Sequence, residues 1–278
     1  MRKSLLLLVT LVSALGCGHA ATPAPQVAAP SPSAGTPPEA ASPSASAESA
    51  QADARYAAIV QAPDRDAADK ALDEGRKPVE LLSFLQVQPG MSVAEIGAGG
   101  GYTSELLARA VGDSGTVYAQ NSPFILTRFA EKPLSERLKK PVNQRVVRVD
   151  REFDAPLPEE VHALDLVVNV LFYHDTVWMK VDRERMNRAI FAALKPGGSY
   201  VLVDHSSAAG KGLSEVETLH RIEESVLKSE IEKAGFQYVA SADFLRNAED
   251  TRDWSASPRT AGEKRGTSDR FVLRFQKP

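Results

Sequence analysis

An apolar strand that runs directly into a cluster of glycines constrains this chain more than any other feature. Val93-Ala94-Glu95-Ile96 leads into Gly97-Ala98-Gly99-Gly100-Gly101-Tyr102-Thr103, and Ser104–Val111 follows with helical spacing. Glycine permits the tight, left-handed backbone such a turn needs and puts no side chain between the main chain and a ligand. A helix starting there offers unpaired N–H groups to whatever is bound. The segment reads as the first strand–turn–helix unit of a parallel sheet that binds ligands at the carboxyl ends of its strands.

The pattern further along keeps the alternation. Residues 115–119, 144–149, 164–171, 199–203, 236–240 and 270–275 read as strands, in addition to Ser92–Ile96. Helices are predicted over 53–86 with interruptions at Pro63 and Pro78, over 124–140 with an interruption at Pro133, and over 182–194. Residues 216–234 read as one long helix, with His220 and Arg221 on its surface. Such alternation predicts an α/β, Rossmann-like architecture: a seven-stranded, mostly parallel sheet with helices on both faces. Whether residues 250–269, rich in charge and in Gly, Ser and Thr, are ordered stays open.

The chain divides into unequal parts. Arg2 and Lys3 precede an apolar run from Leu5 to Leu15 that is too short for a permanent membrane span and ends in Ala14-Leu15-Gly16-Cys17. This ending resembles the lipobox of bacterial lipoproteins, with Ala14 where Leu is usual. Cys17 is the sole cysteine, so no disulfide can form within the monomer. The resemblance implies a signal peptide over 1–17 and a lipid on Cys17 as the one link to a membrane. Gly18, rather than Asp, then implies the periplasmic face of the outer membrane; an ordinary signal and a soluble periplasmic protein are the alternative. Residues 21–50 hold 10 Ala, 7 Pro and 6 Ser, a composition with too little apolar surface to offset ordering, so 18–54 reads as a disordered linker and 55–278 as the folded domain. The net charge of −3 gives no case for nucleic acid as a partner.

The glycine pattern separates two cofactor classes. A dinucleotide fingerprint would place its third glycine at position 102, where Tyr102 stands. The run Glu95-x-Gly97-x-Gly99-x-Gly101 instead resembles motif I of class I S-adenosylmethionine-dependent methyltransferases. Leu194-Lys195-Pro196-Gly197-Gly198 is similar to that family's turn into the fifth strand, and Leu164-Asp165-Leu166-Val167-Val168-Asn169 to its fourth strand. Arg76-Lys77-Pro78, Pro89-Gly90-Met91 and Phe172-Tyr173-His174-Asp175 resemble a group of bacterial members. The resemblance implies S-adenosylmethionine as cofactor, held by Glu95, Gly97, Ala98, Gly99 and Gly101, with Asp150 at the adenine and Asn169 also in contact. It also marks a departure: an acid usually grips the ribose hydroxyls at the end of the second strand, and here Gln120 and Asn121 stand there. Asn121 is expected to take that contact with a neutral amide, which lacks the charge that strengthens both bonds.

Chemistry is expected where strands four and five end. Tyr173, His174 and Asp175 follow the fourth, and Asp204 and His205 the fifth. His174 or His205 is a candidate general base, oriented by Asp175 or Asp204, with Tyr173 beside them. Loop residues that merely bond the backbone, or a divalent metal held by these groups, are the other readings; no metal ligand set is assigned. The function this implies is methyl transfer to a small-molecule acceptor. The alternative is a lipoprotein that keeps the fold and binds a ligand or partner without chemistry. No Gly-x-Ser-x-Gly elbow supports a hydrolase.

Overall fold

The computed structural model describes residues 45–278, so the predicted signal peptide over 1–17 and most of the predicted linker lie outside the described residues. The first element, α1 (Ala45–Val60), begins ahead of the predicted domain start at residue 55. Beyond Pro43 the Ala-rich sequence contains no proline until Pro63, and alanine is the strongest helix former. The helix is anchored by Tyr56, whose hydroxyl donates to the Val87 carbonyl at 2.9 Å. It is followed by α2 (Ala67–Arg76) and α3 (Pro78–Leu85). Lys77 between them is left-handed, and Pro78 starts α3 at a position that has no intrahelical N–H bond to lose.

The sheet comprises β1 (Ser92–Ile96), β2 (Thr116–Asn121), β3 (Val146–Asp150), β4 (Leu164–Val170), β5 (Leu194–His205), β6 (Gln237–Ala242) and β7 (Arg270–Gln276). Its order is β3-β2-β1-β4-β5-β7-β6, with β7 antiparallel to both of its neighbours. The other pairs are parallel. This is the predicted seven-stranded, mostly parallel sheet. The helices that follow the strands are α4 (Tyr102–Val111), α5 (Pro123–Ile125), α6 (Glu131–Leu138), α7 (Tyr173–Trp178), α8 (Arg183–Ala193), α9 (Val216–Leu219) and α10 (Glu224–Lys233). A π turn, Leu126–Ala130, joins α5 to α6, and Pro133 then falls in the first turn of α6.

Central strands are apolar on both sides because both sides are covered. Ala94, Val167, Leu202 and Leu273 pack with Met186, Ile190, Leu227 and Ile231 in one cluster. Val93, Val168, Val201 and Val272 pack with Leu82, Leu106 and Leu107 in the other. Truncating a fully buried aliphatic such as Leu107 to alanine costs roughly 2–5 kcal/mol.

The predicted helix over 216–234 is broken. His220 is left-handed at φ 51, Ser206 and Ile222 form an isolated bridge, and α10 starts afresh at Glu224. The cause is tertiary. Arg221, fully buried, donates to the Ser206 carbonyl at 3.0 Å and to Asp250 at 2.7 Å, and its Nε donates to the Trp254 carbonyl at 3.2 Å. These bonds also tie down the segment from Asp250 onward, which packs in place through Ala256 N donating to the Leu219 carbonyl at 2.9 Å.

Candidate active site

The glycine turn after β1 is shaped both by the protein and by open space. A Cβ on Gly97 (φ +74) would lie 2.4 Å from the Phe172 ring, so this close approach excludes any other residue. A Cβ on Gly99 (φ +55) would meet nothing within 4 Å, because that backbone faces a cavity. Gly101 caps α4, and Arg137 holds the turn from outside. Its Nε donates to the Gly100 carbonyl at 2.6 Å, and its Nη atoms pair with Asp69 and Glu105 at 2.6 and 2.7 Å.

The amides at the end of β2 are spent on this turn. Gln120 Oε1 accepts from Gly97 N at 3.2 Å. Asn121 Oδ1 accepts from Gly99 N at 2.8 Å, and its Nδ2 donates to the Gly99 carbonyl at 3.1 Å. Both side chains are fully buried, and neither lines the cavity. Asn121 is therefore a brace of the loop and not the expected direct contact: a buried amide satisfies its hydrogen bonds with the nearest peptide groups.

The cavity encloses about 940 Å³. At one end lie Glu95 and Arg76. Glu95 is 3 % exposed and accepts a hydrogen bond from Ser104 Oγ. Burial pushes its carboxyl up to about 7, with Ser104 and the Arg76 charge opposing. The Arg76 guanidinium stacks 4.3 Å from the Tyr102 ring centroid and has no carboxylate within ion-pair distance among the described residues. An unpaired cation and a buried carboxyl thus flank the glycine turn. Arg76 appeared in the sequence only as part of a motif; the lack of an acid partner is visible only in three dimensions.

At the other end the chain leaves β4 through Leu171, left-handed at φ 58, and enters α7. His174 and Asp175 thereby face the cavity. Asp204, fully buried at the end of β5, receives the His174 backbone N–H at 2.8 Å and His174 Nδ1 at 2.6 Å. The acid–imidazole pair crosses between neighbouring strands, so Asp204 orients His174 and not His205. Burial favours the neutral ring, but the Asp204 and Asp175 carboxylates outweigh it and push His174 up to about 9. His205 behaves oppositely: burial, with His174, Arg270, Arg221 and His220 nearby, holds it well below the ordinary imidazole range. Its Nδ1 lies 2.7 Å from Ser268 Oγ. Asp175 Oδ1 accepts from Trp178 Nε1 at 2.6 Å.

His220 joins this group. Its Nδ1 lies 3.2 Å from His174 Nε2 and 3.4 Å from Asp175 Oδ1. The helical periodicity of 216–234 had put it on a surface, and only the break at His220 turns it inward. Besides Asn121, four predicted site residues stand elsewhere. Gly101 does not line the cavity, and a Cβ there would press on Arg137 and Leu134 of α6. Tyr173 is fully buried in the core, donating to Glu230 at 2.8 Å and accepting from Asn187 at 2.8 Å. It belongs to the opposite face of α7 from His174 and is removed from the set of catalytic candidates. Asp150 pairs with Arg148 at 2.8 Å on the surface, and Asn169 is fully buried within β4; neither lines the cavity. Glu95, Gly97, Ala98, Gly99, His174, Asp175 and His205 all do.

The cavity wall also carries aromatic side chains. Phe129 and Trp178 line it, and Arg259 of the late loop lies 4.6 Å from the Phe129 ring centroid. A second hollow, of about 990 Å³, lies at the amino-terminal ends of β1 to β3 near Pro89, Asp113 and Arg145, away from every group described above.

The sheet order with an antiparallel seventh strand is the class I methyltransferase fold. A sequence model of the protein-L-isoaspartate(D-aspartate) O-methyltransferase family matches residues 74–150, which include the glycine turn and end before α7. A SAM-dependent methyltransferase from Aquifex aeolicus is similar in structure, with a TM-score of 0.52 and 16 % identity over 81 % of this chain and 98 % of that one. The [4+2]-cyclase SpnF is similar as well, with a TM-score of 0.51 and 18 % identity over 76 % of this chain and 81 % of the other. At these identities the likeness is one of fold.

Proposed function

We propose that the chain is an S-adenosylmethionine-dependent methyltransferase acting on a small-molecule acceptor. The observation that carries this is the bare Gly99 wall set between an Arg76–Glu95 end and a His174–Asp175–His220 end of one cavity. The cofactor's amino-acid portion carries one carboxylate and one ammonium group. Arg76 suits the first and Glu95 the second, and the turn over 97–100 leaves its backbone open to the remainder. Bound there, the cofactor supplies an electrophilic methyl group on a sulfonium.

The chain's own residues then orient and exclude. Phe129, Phe172 and Trp178 hold an apolar body and keep water out. The imidazole–carboxylate cluster receives the acceptor's reacting heteroatom. His174, held by Asp204, and His205, beside Ser268, are the two imidazoles placed to take up the acceptor's proton. The family match supports the cofactor side and stops before the acceptor side, so the acceptor is argued from the cavity alone.

Hydrogen exchange tests the reading. S-adenosylhomocysteine bound to the full chain is expected to protect amides of residues 97–104 and to leave residues 141–145 unchanged. Protection absent from 97–104 would contradict it. Export belongs to the same proposal: the run over 1–17 directs the chain outward and Cys17 is lipidated, holding the domain at the periplasmic face of the outer membrane. Among the described residues no helix is long and apolar enough to cross a membrane. Labelled palmitate entering the wild type and sparing Cys17→Ser is the expected result; equal labelling, or none, contradicts it.

A further inference from the structure

His174 Nε2, Asp175 Oδ1 and His220 Nδ1 form a nearly equilateral triangle with sides of 3.2, 3.4 and 3.4 Å. A hydrogen bond accounts for only one side, His174 Nε2 to His220 Nδ1 at 3.2 Å; the two 3.4 Å sides to Asp175 are too long for the charge-assisted bonds those groups would make. Charge-assisted bonds involving imidazole and carboxylate close to roughly 2.7–2.9 Å. The same residues achieve that elsewhere: His174 Nδ1 to Asp204 and Trp178 Nε1 to Asp175 are each 2.6 Å. One proton between the two imidazoles would satisfy one side of the triangle and leave Asp175 at 3.4 Å from both rings. Ligands around a common ion do explain it. Donors about 2.0–2.1 Å from a tetrahedral centre stand roughly 3.3–3.4 Å apart.

We infer that His174, Asp175 and His220 form a site for a divalent transition-metal ion of the zinc class. Two imidazoles and one carboxylate are a ligand set suited to such an ion, and three protein ligands leave a position open. All three residues line the cavity, so an ion held by them would be reached from it. The supporting shell is in place. The Asp204 carboxylate accepts from His174 Nδ1, which fixes the ring with the Nε2 lone pair toward the triangle. Trp178 holds Asp175, and the left-handed backbone at His220, pinned by buried Arg221, brings in the third ligand. On the methyltransferase reading, from which this last step follows, the open position takes the acceptor's oxygen or nitrogen and holds it toward the glycine turn. The metal site itself does not depend on methyl transfer.

The test is zinc binding by the metal-stripped full chain, in competition with a chromophoric chelator. One equivalent is expected to bind. His220→Asn, chosen because asparagine tolerates the left-handed backbone, is expected to weaken binding at least about 100-fold, and Asp204→Asn by about 10–100-fold. His162→Ala, at an exposed histidine outside the cavity, is expected to change nothing. Cobalt(II) in place of zinc is expected to give the intense visible bands of a four-coordinate ion. Absence of a stoichiometric site, or one indifferent to His220→Asn in a folded protein, overturns the inference. Zinc binding without S-adenosylhomocysteine binding would remove the methyltransferase reading and leave the metal site standing. The reverse result would remove the metal alone.

Discussion

Asn121 and Gly99 bond to each other twice, through Gly99 N to Oδ1 at 2.8 Å and Nδ2 to the Gly99 carbonyl at 3.1 Å. The amide that ends β2 thus shapes the turn that ends β1, and its two bonds fix the Gly99 backbone that faces the cavity. Asn121→Ala removes both bonds and leaves the half-buried Gly99 N–H and carbonyl without their side-chain partner. We expect a loss of roughly 1–3 kcal/mol in stability, measured by urea unfolding, together with weaker S-adenosylhomocysteine binding. Unchanged stability with weaker binding would instead make Asn121 a direct ligand contact.

Glu95 gives the structure a definite pH dependence. Its folded-state carboxyl is pushed up to about 7 by burial, against an ordinary value of 4.5. The folded state therefore holds a proton that the unfolded state has released, and stability falls as pH rises from about 4.5 to 7. The full effect is about 3 kcal/mol, taking 1.36 kcal/mol per unit. Glu95→Gln is expected to melt higher than the wild type above pH 7 and to converge with it below pH 4.5. A Glu95→Gln variant whose melting temperature keeps a constant difference from the wild type's across this range contradicts the assignment.

Tyr173 supports the site from behind. Tyr173→Phe removes the bond to Glu230 and the one from Asn187. It should cost about 1–3 kcal/mol in stability while leaving ligand affinity unchanged. A selective loss of turnover in a stable variant would return it to the catalytic group.

Arg221 and Asp250 form a fully buried ion pair at 2.7 Å. Arg221→Met leaves the Asp250 charge without its partner and is expected to destabilise by about 3–5 kcal/mol. His220 follows Arg221 into place, so zinc binding is expected to weaken in the same variant. The His220 imidazole resonances in NMR spectra would report the displacement.

Much of this was legible in the sequence because it is local. The strand-to-glycine turn, the buried apolar strands and the histidines that follow β4 and β5 all read directly from residue type and spacing. What was not legible depends on contacts between distant segments. The residues of 216–234 carry no Gly or Pro to announce a break; Arg221 enforces it by reaching Asp250 and Ser206. With the break unseen, His220 stayed on a helical surface. Sequence leaves Asp175 and Asp204 equally able to orient either histidine, whereas the sheet sets Asp204 against His174. Tyr173 was grouped with His174 because the two are adjacent in sequence, although adjacent helical positions point apart.

Calorimetric titration of S-adenosylhomocysteine into the full chain tests the central claim most directly. The account predicts micromolar binding that is lost in Gly99→Leu, whose Cβ would meet no protein atom within 4 Å and whose φ of +55 strains the turn as well, so the variant is compared at a temperature where it is folded. No heat and no thermal shift at millimolar ligand, with a folded protein, would contradict it.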